Sequence, residues 1–219
     1  MGLLARAVAR LDARWLGVVP YAEAFALQTA LHDRRVRREV PDTLLLLEHP
    51  HVFTIGRRGD AGEVLWDEAT RRARGVEVVE TDRGGRVTYH GPGQLVGYPI
   101  IDLGPRADLV GYVRRLEDVL IATLDRFGLR GERDPGHTGV WTGRAKIAAI
   151  GVRVTRGVTK HGFALNVSPD LSYFAGIVPC GILDRGVTSM AAELGEAPRM
   201  ELVRAAIVAE FAHVFEIAA

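Results

Sequence analysis

The sequence predicts an α+β fold: a single domain over residues 1–219 with a mixed, mostly antiparallel sheet flanked by helices. Short β-rich runs recur, separated by Gly, Pro and charged turns. Helical spacing occurs in only three places and interrupts the strands irregularly, without the strict alternation of a doubly wound sheet. A chain of 219 residues suits one full core, and no linker divides it.

The elements follow in order. Residues Met1 to Arg14 are Arg-rich but lack the apolar core and small-residue cleavage site of a secretory signal, so they read as a short prefix. Trp15 to Val19 reads as a strand. Tyr21 to Arg38 carries Phe25, Leu27, Leu31 and Val36 among charges and reads as an amphipathic helix, stopped by Pro41. Five β-rich runs come next: Thr43 to Glu48, Val52 to Ile55, Val76 to Glu80, Val87 to Tyr89 and Gln94 to Ile101. Asp108 to Phe127 places Val113, Leu116, Leu120 and Leu124 at three-and-four spacing, a helix laid on a sheet, with Gly128 as terminator. Val140-Trp141, Ile147 to Val154 and Val158 to Val167 are strands, the last two joined as a hairpin through Thr155-Arg156-Gly157. A helix from Glu201 to Phe215 ends the chain.

Composition excludes several classes. Twenty-eight Lys and Arg against 27 Asp and Glu leave a net charge of +1, so no global field recruits nucleic acid or a membrane. The most apolar run, Leu44 to Leu47, is far below the roughly 20 residues that span a bilayer. A single cysteine excludes an internal disulfide framework and a multi-thiolate zinc site, and fits a reducing, cytoplasmic setting.

The densest unusual stretch is Arg83 to Gln94, with five glycines and prolines in twelve residues. Glycines let backbone N–H groups approach a ligand, and Arg83, Tyr89, His90 and Gln94 supply polar groups at its edge; the same composition also fits tight turns around a strand. Gly91 to Gly97 misses the dinucleotide fingerprint by one residue and leads into a strand, and no phosphate-cradling Gly-x4-Gly-Lys-Ser/Thr loop is present. His49 and His51 lie two apart, but Pro50 intervenes and no carboxylate stands at ligand spacing, so no metal site is expected. Ser168, Ser172 and Ser189 lack the Gly-x-Ser-x-Gly elbow.

Cys180 stands in Ile177-Val178-Pro179-Cys180-Gly181-Ile182, and Lys146 in Gly143-Arg144-Ala145-Lys146-Ile147. A nearby ammonium lowers a thiol pKa and makes the thiolate a nucleophile, while Gly181 permits a main-chain N–H to face an oxyanion. A lone cysteine is equally at home as buried filler.

Four segments together resemble the octanoyl transferase family of lipoate biosynthesis, the lipoyl(octanoyl) transferases: Arg83 to Pro99, Lys146 to Arg153, His161 to Val167, and Leu171 to Ile182. The similarity runs from Trp15, through Glu48-His49-Pro50, to Ser189, with His51 a departure where an apolar or small residue is expected. The resemblance implies the fold of the biotin and lipoate protein ligases. It implies octanoyl transfer from octanoyl acyl carrier protein to a lysine of lipoyl domains, those of 2-oxoacid dehydrogenase complexes and the glycine cleavage H protein, with no nucleotide cofactor. Cys180 matches the acyl-bearing cysteine and Lys146 the lysine that lowers its pKa. Arg83, Gly84, Gly85, Arg86, Val87, Thr88, Tyr89 and His90 match the substrate-binding loop. Ala149, Ile150 and Gly151, with Gly162, Phe163 and Ala164, match the walls of the acyl site.

With that resemblance in place, Lys146, partly buried among Ile147, Ala148 and Val152, becomes a candidate base for the incoming amine. Phe163, Leu165, Ile150 and Ile177 are the apolar candidates for a chain-length tunnel, and Ala149 and Ala164 leave room. Carrier proteins are usually acidic, so Arg57, Arg58, Arg71, Arg72 and Arg74 are candidates for a docking face. Two other readings stay open: an ATP-dependent lipoate or biotin protein ligase, which needs no thiol, and a noncatalytic module that binds carriers or lipoyl domains.

Overall fold

The computed structural model describes residues 10–178 and 186–217. Ten strands form two sheets. The larger has seven strands in the order β1-β2-β6-β10-β9-β8-β7, and the smaller three in the order β4-β3-β5. In the larger sheet β1 (Asp12–Val18) runs parallel to β2 (Thr43–Glu48), and every other pairing is antiparallel. In the smaller sheet β3 (Val52–Ile55) pairs parallel with β4 (Glu77–Glu80) and antiparallel with β5 (Val87–His90).

The leucine run explains the layering. Successive residues of a strand point to opposite faces, and in β2 Leu44 and Leu46 enter one core while Leu45 and Leu47 enter another. A strand apolar on both faces must be covered on both. Helices α3 (Leu109–Asp125) and α5 (Met200–Phe215) cover the first face, with Leu116, Leu120, Leu124, Ile207 and Phe211 all fully buried. Each such side chain contributes about 1.5–3 kcal/mol. Helix α1 (Tyr21–Val36) covers the second face through Ala24 and Leu31. The small sheet closes its own cluster of Phe53, Val87, Tyr89, Phe174 and Ile177.

Local chemistry sets the boundaries. Asp108 caps α3 by accepting the Gly111 N–H at 2.9 Å, and Gly128 follows its end at φ 75°. Helix α1 ends at Val36, before Pro41, because Arg38 turns left-handed at φ 60°. Strands β9 (Ala145–Thr155) and β10 (Val158–Asn166) form the expected hairpin, with Arg156 and Gly157 both at positive φ, the primed turn that matches strand twist. Strand β6 spans Gln94–Ile100 and β8 spans His137–Thr142.

Besides the 3-10 turns at Ala61–Glu63 and Leu171–Gly176, one strand and two α-helices lie outside the sequence expectations: β7 (Glu132–Asp134), α2 (Glu68–Ala73) and α4 (Met190–Leu194). Strand β7 and helix α2 are polar and too short to show a period; α2 is set by Asp67, which accepts the Thr70 N–H at 2.8 Å. Helix α4 is framed by the Ser189 cap and by Gly195 at φ 81°. Among the described residues no helix is long and apolar enough to cross a membrane. Residues 1–9 of the expected prefix lie outside the described residues.

Candidate active site

The glycine-rich segment after β4 is held against β9 and β3 by main-chain bonds. The Gly84 N–H donates to the Val152 carbonyl at 3.0 Å, and the N–H groups of Gly56 and Arg58 donate to Arg86 and Gly85 at 3.1 Å each. A Cβ on Gly151 would stand 2.8 Å from the Gly84 oxygen, so this approach requires a glycine. Arg83 is only 7% exposed; its guanidinium turns inward to the Thr54 carbonyl at 2.6 Å and hydroxyl at 2.8 Å, locking the loop to β3.

Strand alternation divides the predicted loop residues. In β5, Val87 and Tyr89 face the small core, whereas Thr88 and His90 face an inner cavity. Arg83, Gly85, Ala149, Ile150, Gly151, Gly162, Phe163 and Ala164 also line it. Its volume is about 50 Å³, room for roughly three or four water-sized spheres. Ala149 sits directly opposite Ala164 across β9 and β10, so both methyls lie on one sheet face and leave space above it. Leu165 and Ile177, which the sequence suggested for a tunnel, pack instead into the main and small cores.

The β6–β10 pairing stops at the wall of this cavity. His161 lies within β10 at φ 56°, and Pro99, which has no N–H, occupies the same level of β6. The direct β6–β10 register begins only at Phe163 and Gly97. His161 is held in place by the Gln28 side chain, which accepts its N–H at 2.8 Å, and by Asp82, which accepts from its ring Nε2 at 2.6 Å. Lys160 and Arg153 also reach Asp82, at 3.0 and 3.2 Å.

Two buried histidines, His90 and His161, line the cavity, and a third, His49, stands behind Tyr98 of its wall. Burial pushes His49 and His161 down to about 4, the latter against the pull of Asp82. Burial, with His49 nearby, takes His90 to about 3. All three are therefore neutral at pH 7. His49 donates from Nδ1 to the Val19 carbonyl and accepts the Tyr98 hydroxyl at Nε2, each at 2.7 Å. His51, the residue that departs from the family pattern, bonds the Tyr89 hydroxyl at 2.8 Å and stacks on Tyr173 at 4.1 Å between ring centres.

The inner cavity shares Gly85, Ala149, Ile150 and Gly151 with an outer groove of about 500 Å³, which contains Gly84, Arg86 and Lys146. Lys146 is 9% exposed, with Nζ donating to the Thr138 carbonyl at 3.2 Å and lying 4.9 Å from the Trp141 ring centre. The predicted neighbours Ile147 and Ala148 point into the core instead. The carbonyl of Thr138 is placed from α3: buried Glu117 accepts the Gly139 N–H at 3.2 Å and the Arg133 guanidinium at 3.0 Å.

Cys180 lies outside the described residues, and its flanks converge on this site. The Val178 N–H donates to the Glu63 carbonyl at 2.8 Å. On the other side, the Lys146 N–H donates to Gly186 and the Thr188 N–H to Lys146, both at 3.0 Å. A buried polar chain joins this junction to the cavity: His90 donates to Gln94 Oε1 at 2.7 Å, Gln94 to Asn166 Oδ1 at 2.9 Å, and Asn166 to the Thr188 carbonyl at 2.9 Å.

Residue reading missed Tyr21, Tyr98 and His161 as cavity walls, and Asn166 as a link. The one local signal is a histidine and an asparagine at the two ends of an apolar strand run, polar groups in positions that must find partners. Of the proposed docking arginines, Arg58 stands on the groove rim. Arg72 pairs with Glu68, and Arg74 stacks over Trp66 at 4.6 Å.

Comparison with known proteins supplies the family. The model of the lipoyl protein ligase A/B catalytic domain matches residues 20–212. Octanoyltransferases of Gloeobacter violaceus and Mycobacterium tuberculosis are 53% and 51% identical to this chain. Those alignments cover 92% and 95% of this chain and 88% of each relative. Among solved structures, the fold matches protein Ta0514 of T. acidophilum, described as a lipoate protein ligase, with a TM-score of 0.76 at 18% identity over 95% of this chain and 86% of that one. Biotin protein ligase of Aquifex aeolicus matches with a TM-score of 0.54 at 13% identity, over 94% and 68%. A family match across nearly the whole length, with relatives at half identity, makes this chain an acyltransferase and a member of the octanoyltransferase family.

Proposed function

We propose that this chain transfers an octanoyl group from octanoyl acyl carrier protein to a lysine of lipoyl domains through a thioester on Cys180, in the cytoplasm. The observation that carries the reading is the stretch from Ala149 to Gly151, which lines both the inner cavity and the groove that holds Lys146. The inner cavity takes the terminal carbons of the acyl chain, and the groove takes its carbonyl end. Neutral His90 and His161 suit an uncharged chain, and the buried Arg83 guanidinium on the same wall is already bonded to Thr54.

In the first step the Cys180 thiolate attacks the donor carbonyl, the carrier's C–S bond breaks, and the carrier leaves as a thiol after taking a proton. In the second, the acceptor amine attacks the acyl-enzyme, an amide forms, and the Cys180 C–S bond breaks. As an ammonium, Lys146 stabilises the Cys180 thiolate in the first step and then gives its proton to the departing carrier thiolate; now neutral, it takes the amine proton in the second step, which restores the ammonium as Cys180 leaves as the thiolate. Its main chain is tied to Gly186, six positions along the chain from Cys180. Each step exchanges one acyl bond for another, so the reaction needs no nucleotide.

Lys146→Arg tests the assignment because it keeps a cation but not a titratable base. Single-turnover acylation of Cys180 should persist within about tenfold, while transfer to a lipoyl-domain lysine falls by about 10²–10⁴. Unchanged transfer in this variant removes the base role. A ligase that activates its acid with ATP survives Cys180→Ala, whereas the reaction proposed here does not.

A further inference from the structure

The outer groove has a one-sided charge. Arg58, Arg86, His137 and Lys146 line it, and no carboxylate does among the described residues, although the whole chain is nearly neutral. These groups are not equivalent. Arg86 is engaged by Glu63, and His137 by Asp134 at 2.8 Å. Lys146 is turned inward to the Thr138 carbonyl. Arg58 is exposed, and among the described residues it meets no acid. Its main chain is nonetheless fixed, because its own N–H is bonded to Gly85 and its neighbours Gly56 and Arg57 are bonded to Arg86 and Arg83. Leu109, 46% exposed, and Val113 add apolar surface to the same groove.

An exposed guanidinium without an acidic partner, carried on a main chain that is fixed, in a groove that also offers apolar surface and contains Lys146, suits an elongated ligand with a thioester at one end, methyl groups along its length and a phosphate at the other. We propose that Arg58 binds the phosphate of the donor's phosphopantetheine arm, with Leu109 and Val113 against the pantoyl methyls. This rests on the acyl-transfer reading and names the part of the donor that the groove recognises. The anion assigned to Arg58 is the phosphate of the arm, not an acidic side chain of the carrier.

Small donors separate the possibilities. With the full chain and a lipoyl domain as acceptor, kcat/KM is measured for octanoyl-4′-phosphopantetheine and for octanoyl-pantetheine, which lacks only the phosphate. The wild type should favour the phosphorylated donor by about tenfold, the lower end for a charge-assisted bond on an exposed arginine. Arg58→Gln should bring that ratio to within about twofold of one. Equal use of the two donors by the wild type overturns the proposal, as does an Arg58→Gln ratio that stays high. An Arg58 effect seen only with intact carrier protein also overturns it, since the contact is then to the carrier's surface. Calorimetric binding of unacylated 4′-phosphopantetheine and pantetheine reads the site without catalysis. Tighter binding of the phosphorylated compound, lost in Arg58→Gln, supports the anion site even where no octanoyl group moves; equal binding rejects it.

Discussion

Replacing Ala164 by valine should shorten the acyl chain that the enzyme prefers. Ala164 is 3% exposed, stands opposite Ala149 and lines the inner cavity, where the terminal carbons are proposed to sit. Valine adds two methyl groups to a space of about 50 Å³ and displaces about two methylenes of an octanoyl chain. At about 0.8 kcal/mol per buried methylene the loss is ~1.6 kcal/mol, or about 15-fold in kcat/KM. A hexanoyl chain ends short of the added methyls and escapes this loss. Ala164 also packs in the core beneath α1, so overpacking costs about 1–3 kcal/mol of stability. The ratio of octanoyl to hexanoyl kcat/KM, measured in one competition reaction, is insensitive to the fraction of enzyme folded. It should fall by about 15-fold. If both donors slow by the same factor, the acyl chain does not reach Ala164 and the cavity assignment is wrong.

Acid should destabilise the fold well above the carboxylate range. His49, His90 and His161 carry folded values of about 4, 3 and 4 against 6.5 when unfolded, so between those limits the unfolded chain binds more protons. Their contribution is fully present above pH 6.5 and is lost as pH falls toward 4 for His49 and His161, up to ~3 kcal/mol each, and toward 3 for His90, up to ~5 kcal/mol. Denaturant midpoints should drop steeply from pH 7 to 5, and a flat profile there contradicts the neutral-histidine description. Asn166→Ala removes the donor to the Thr188 carbonyl and one of the two acceptors of the Gln94 amide, at a cost of about 1–3 kcal/mol in chemical denaturation. Turnover per folded molecule should also fall, with KM for the donor little changed, because the Thr188 segment pairs with Lys146 and not with the cavity; a pure KM effect would refute that placement.

Much of the fold is legible locally. The alternation of Leu44 to Leu47 between two cores follows from one apolar run, and the spacing of Leu116, Leu120 and Leu124 marks the helix that covers one of them. Gly157 marks its turn because glycine takes a left-handed position freely, while Arg156 is held in the other, at φ 53°, by the pairing of the two strands. Strand β7 was invisible because Glu132, Arg133 and Asp134 carry no apolar signal and are ordered by pairing with β8. The site was legible only in part for a similar reason. Thr88 and His90 are separated from Val87 and Tyr89 by strand alternation, yet which pair meets the cavity depends on how the small sheet packs. Tyr21, Tyr98 and His161 come from three distant elements, and nothing in their local sequence states that they converge. The inward turn of Arg83 toward Thr54 likewise reflects a tertiary contact rather than a motif.

Intact-mass measurement after mixing the protein with octanoyl acyl carrier protein, without ATP and without a lipoyl domain, tests the central claim most directly. One octanoyl group should add to each chain, map to Cys180, be released by hydroxylamine, and be absent in Cys180→Ala. An unmodified chain that nevertheless octanoylates a lipoyl domain, or an adduct on any other residue, contradicts the acyl-enzyme account.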